Sequence, residues 1–69
     1  MPIVMVYMWK GLSEERAKTI IENITQVFVD LGIPQTAVEV VINEVSKSDW
    51  GIGGVPASER FEEKAPGEE

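Results

Sequence analysis

From Pro2 to Trp9 the chain carries no charged side chain and no amide, only Ile3, Val4, Met5, Val6, Tyr7, Met8 and Trp9 after the proline. A β-branched and aromatic run of this kind reads as a strand from about residue 2 to residue 9. Because both alternating faces are apolar, the strand needs cover on both sides, and that requirement constrains everything that follows. A chain of 69 residues without cysteine has little else to supply the cover. It is one small domain, marginal as a monomer and without disulfides to staple it, so association with further copies is expected.

The next elements follow in short order. Gly11 breaks the apolar pattern, Ser13 is a good helix N-cap, and Glu14 and Glu15 fall in the first turn, where the helix dipole favours negative charge. Ala17, Ile20, Ile21, Ile24, Val27, Phe28 and Leu31 recur at intervals of three and four. They predict an amphipathic helix of about 18 residues, roughly 27 Å long, with these side chains as its core stripe. Gly32 supplies the stop and Pro34 forbids continuation.

Residues 37–45 (AVEVVINEV) then predict a second strand, with Val38, Val40 and Ile42 on one face and Glu39, Val41, Asn43 and Val45 on the other. Strand, long helix and strand make a βαβ unit with parallel strands. Two strands and one helix leave part of the sheet uncovered, which a second copy would complete.

A polar loop at residues 46–49 leads into Trp50-Gly51-Ile52-Gly53-Gly54. Three glycines in four positions call for positive φ or for close approach of another chain. Residues 59–69, with five acids and two bases, are expected to be a flexible acidic tail, and residues 1–58 the folded domain.

Composition removes several function classes. Twelve acidic against six basic residues give a net charge of −6, the wrong sign for tracking a phosphate backbone, so no nucleic-acid partner is expected. The absence of histidine and cysteine excludes a histidine triad, a thiolate nucleophile and the usual zinc ligands, so neither a metal nor a cofactor is expected. No apolar stretch is long enough for a membrane span and none reads as a signal peptide, which makes cytoplasmic the expectation.

What remains for chemistry is the amino terminus. If Met1 is removed, Pro2 becomes a secondary amine at the end of an apolar strand. An α-amino group titrates close to neutral pH, and apolar surroundings push it lower by penalising the charged form. Pro2 is therefore the candidate base.

Met1-Pro2-Ile3, the Ser13-capped helix, Pro34, the second strand with Asn43-Glu44, and Trp50-Gly51-Ile52-Gly53-Gly54 followed by Ala57-Ser58 together resemble the 4-oxalocrotonate tautomerase family. The resemblance spans residues 2–58, one residue short near the end of the helix. It implies a short βαβ subunit with a glycine-rich hairpin, assembled as a homohexamer. It also implies that an amino-terminal proline moves a proton between carbon and oxygen of a keto-enol substrate. On that resemblance the catalytic residue is Pro2, and the substrate pocket is drawn from Trp9, Leu12, Ala37, Glu39, Trp50 and Ile52. Members acting on dicarboxylates carry arginines where this chain has Leu12 and Glu39. The implied substrate is thus neutral or less acidic, and a non-catalytic scaffold or small-ligand binding module of the same fold is the other reading.

Overall fold

The computed structural model describes residues 1–61. Strand β1 (Ile3–Trp9) is followed by helix α1 (Glu14–Val29) and strand β2 (Glu39–Val45). The short strands β3 (Gly51–Ile52) and β4 (Val55–Pro56) come next, and then a helical turn, α2 (Ala57–Arg60). β1 and β2 are parallel, with Ile3 opposite Glu39, Met5 opposite Val41, Tyr7 opposite Asn43 and Trp9 opposite Val45. β3 and β4 form a separate antiparallel hairpin. The βαβ unit and glycine-rich hairpin expected from the sequence are both present.

Local chemistry sets the boundaries. The Ser13 side chain accepts a hydrogen bond from the Arg16 N–H at 3.2 Å, which satisfies one donor of the first turn of α1. At the other end Gly32 takes φ 91°, its N–H bonds Val29 O at 2.9 Å, and the Ile33 N–H reaches Phe28 O at 3.1 Å. That is a Schellman closure, and it ends α1 after 16 residues rather than about 18. The second strand likewise starts later than residue 37, at Glu39, because Gln35–Ala37 form a 3-10 turn. Gly53 and Gly54, with φ of 61° and 83°, supply the two positive-φ positions of a type I′ hairpin turn. Glu59 and Arg60 belong to α2 and Phe61 lies beside Trp9, while residues 62–69 of the expected acidic tail lie outside the described residues.

The helix stripe is narrower than the periodicity suggested. Ala17, Ile20, Ile24 and Phe28 are half-buried, but Ile21, Val27 and Leu31 are exposed. Ile21 and Val27 lie at the two margins of the apolar arc, which a two-stranded sheet is too narrow to reach, and Leu31 lies beyond the end of α1.

On the sheet, Val4, Val6 and Met8 of β1 and Val40 and Ile42 of β2 are half-buried, as the face covered by α1 requires. The opposite face is open: Ile3 is 59%, Met5 61%, Tyr7 59% and Val41 41% exposed. Among the described residues only Ala57 and Lys47 are fully buried. One copy therefore covers one face of the apolar sheet and leaves the other in water.

Candidate functional site

Pro2 precedes the first residue of β1 and is half-buried. Its carbonyl accepts a hydrogen bond from the Glu39 N–H at 3.0 Å, which ties the amino terminus to the start of β2. Met1 is 85% exposed, so its removal disturbs no packing. Ala37 lies two residues before Glu39, its N–H bonded to Pro34 O at 2.9 Å in the 3-10 turn. Pro2, Ala37 and Glu39 thus share one end of the sheet. Residues 1–5 and 30–41, which build this end, contain no lysine or arginine.

The other candidates gather at the far end. Trp9 closes β1, and its ring meets Trp50 edge-on with centroids 6.0 Å apart. Phe61 lies 5.6 Å from Trp9 in a tilted contact, and Lys47 Nζ sits 4.4 Å from the Trp9 ring centroid as a cation–π pair. The Ala57 N–H bonds Trp50 O at 2.7 Å, fixing the hairpin against this cluster. Leu12, half-buried, leads into α1 just beyond, and Ile52 is on β3.

A strand of seven residues separates the two groups. At about 3.3 Å per residue that is roughly 20 Å. One copy therefore holds two half-sites, Pro2 with Ala37 and Glu39 at one end, and Trp9, Leu12, Trp50 and Ile52 at the other. The expected pocket, with the Pro2 amine among Trp9, Trp50 and Ile52, does not form within a single chain.

Two polar atoms are also left over among the described residues. Trp9 Nε1 and Asn43 Nδ2 are buried with no hydrogen-bond partner. A buried donor without an acceptor costs about 1–3 kcal/mol. Asn43 stands opposite Tyr7 in the register, in the row of the uncovered sheet face.

Lys47 and Glu44 carry more of this end than their sequence context indicated. Lys47 sits in a stretch read as a polar loop, yet it is buried against Trp9 because the 3-10 turn Lys47–Asp49 folds back over the end of β1. Glu44 Oε1 accepts hydrogen bonds from the Gly11 N–H at 3.1 Å and the Leu12 N–H at 3.0 Å. Lys10, Arg16 and Arg60 are exposed and lie on β1's exit, α1 and α2.

This architecture has close counterparts. Residues 2–60 match the model of the tautomerase enzyme family. The chain belongs to the tautomerase family. The 2-hydroxymuconate tautomerase of Comamonas testosteroni is 45% identical over 60 residues, which cover 86% of this chain and 95% of that protein. Among solved structures, a 4-oxalocrotonate tautomerase isozyme from Methylibium petroleiphilum superposes with a TM-score of 0.76 at 40% identity, covering 83% of this chain and 94% of the other. TomN, a 4-oxalocrotonate tautomerase homologue of the tomaymycin biosynthetic pathway, gives 0.81 at 30% identity over 86% and 92%. Tautomerases are isomerases, enzymes that relocate a proton and a double bond within one molecule. The activity that goes with membership is tautomerisation.

Among the described residues of this tautomerase no helix is long and apolar enough to cross a membrane.

Proposed function

We propose that Pro2, exposed as a secondary amine once Met1 is removed, is the general base and acid of a site shared between copies of this chain. The observation that carries the reading is the separation of the half-sites: Pro2 and the aromatic cluster stand at opposite ends of β1, on a subunit whose outer sheet face is bare. A neighbouring copy that covers Ile3, Met5 and Tyr7 also supplies the walls that Pro2 lacks, and a homohexamer in the cytoplasm is the assembly we favour.

In the reaction, the Pro2 amine takes a proton from the carbon beside a carbonyl while the carbon–hydrogen electrons form a carbon–carbon double bond and the carbonyl π electrons move onto oxygen. The Pro2 ammonium then hands that proton to the oxygen, which gives the enol and the free amine. The reverse step returns the proton to carbon. Apolar walls from Trp9, Trp50 and Ile52 of another copy exclude water and favour the uncharged amine, which keeps the base ready near neutral pH. Trp50 also adds an N–H donor to the wall. With Glu39 beside Pro2 and Leu12 on the second half-site, neither of these two positions supplies a charge-assisted donor that would hold a second carboxylate. The substrate is a neutral or weakly acidic keto-enol compound with an alkyl or aryl substituent.

The test begins with the mass of the native amino terminus, expected to lack Met1. Pro2→Ala is then assayed on an aryl-substituted enol. The expected outcome is a fall in kcat/KM of about 100-fold or more, in the range typical for a lost general base. Equal rates for Pro2→Ala and the parent would overturn the proposal.

A further inference from the structure

We infer that Glu44 is a positioning residue of this site, holding the wall that Leu12 contributes without touching substrate. The inference rests on the reading above, in which Leu12 lines the pocket.

The ladder between β1 and β2 ends at Lys10, whose N–H bonds Val45 O at 3.1 Å. The helix begins its own hydrogen bonding at Ser13, whose carbonyl accepts the Ala17 N–H at 2.9 Å. Gly11 and Leu12 span the gap. Their N–H groups both converge on Glu44 Oε1, which reaches across from a residue 32 positions beyond Leu12. Convergence of two successive N–H groups on one oxygen needs an unusual backbone, and Gly11 supplies it with φ 113°.

A carboxylate accepting from two main-chain donors makes stronger bonds than a neutral acceptor. Nothing comparable secures Leu12 through its own side chain, which is apolar. Removing the carboxylate thus frees the two residues between ladder and helix while leaving β1, β2 and the Ser13 cap in place. Pro2 and the reacting carbon are untouched by that change. The loss should fall on binding of the substituent against Leu12, and so on KM rather than kcat.

The experiment compares Glu44→Ala, Glu44→Gln, Leu12→Ala, the double variant Glu44→Ala/Leu12→Ala, and Pro2→Ala on one aryl-substituted enol. Glu44→Ala should raise KM about tenfold with kcat within about threefold of the parent, since ground-state contacts are lost. Glu44→Gln, which keeps an oxygen acceptor, should restore KM to within about threefold. In the Leu12→Ala background the Glu44→Ala effect on KM should largely vanish, because residues acting as a unit are non-additive. An unchanged KM in Glu44→Ala, an equal effect in the Leu12→Ala background, or a loss confined to kcat would overturn the inference. Should Glu44→Ala fail to assemble, Glu44→Gln decides: a small KM rise with the Gly11 and Leu12 amides still protected from hydrogen exchange supports the inference, and a fall in kcat at constant KM contradicts it. Pro2→Ala separates the two levels. If it keeps full activity the site reading itself fails, whereas an inactive Pro2→Ala beside an unmoved KM in Glu44→Ala removes only the role of Glu44.

Discussion

Glu39 is bonded through its N–H to the Pro2 carbonyl, so its carboxylate is carried at the proline end of the sheet, in segments without a lysine or arginine. A negative charge there favours a protonated amine and disfavours an anionic substrate. Glu39→Arg reverses both effects, and kcat/KM for a dicarboxylate enol should rise at least about tenfold, a modest share of what one donor aimed at developing charge can supply. Steady-state kinetics on a dicarboxylate and a neutral enol, side by side, check this; no gain on the dicarboxylate would place Glu39 away from the substrate. Pro2 was legible as a candidate because a proline after the initiator methionine has one distinctive chemical consequence, a titratable secondary amine. Glu44 was not, since its partners are main-chain N–H groups of Gly11 and Leu12, more than thirty residues back, and main-chain donors leave no residue-type signal.

At the level of elements, the Ser13 cap, the α1 stripe and the Gly32 stop all act through neighbours within a few positions, and local patterns report them well. Ser13→Ala should cost about 1 kcal/mol, as capping substitutions do, and lower the thermal midpoint of unfolding by several degrees. Calorimetry on the assembled protein measures it, and an unchanged midpoint would mean that assembly rather than the cap holds the helix start. Where element boundaries moved, the cause was a competing short-range structure. The 3-10 turn at Gln35–Ala37 takes Ala37, which reads as the first residue of the strand, and the Schellman closure ends α1 before Leu31, which is 74% exposed. Val27 fits the helical period but faces water, because which arc of an amphipathic helix is covered depends on the width of the sheet beneath it. Lys47 reads as loop polarity and becomes a buried cation only through its contact with Trp9.

For the molecule as a whole, the fully apolar β1 meets a helix on one face and, among the described residues, nothing on the other, which is the expectation of two-sided cover left half met by one copy. Met5 is 61% exposed in that row, and Met5→Asp would place a charge where a further copy is to pack. Sedimentation should show the parent as an oligomer at micromolar concentration and Met5→Asp as smaller species; an unaltered oligomer would assign the contact to another surface. What no single-chain pattern displays is the distance between the half-sites, since alternation places Pro2 and Trp9 on strand faces but does not say that a catalytic pocket spans two subunits. The most direct test mixes copies bearing Pro2→Ala with copies bearing Trp50→Ala, each inactive or nearly so alone, by unfolding and refolding them together. If one copy supplies Pro2 and another Trp50, random assembly of a symmetric oligomer restores both native residues to about a quarter of the sites, and activity should recover to about that share of the parent. Activity no greater than the sum of the two separate variants would contradict a shared site.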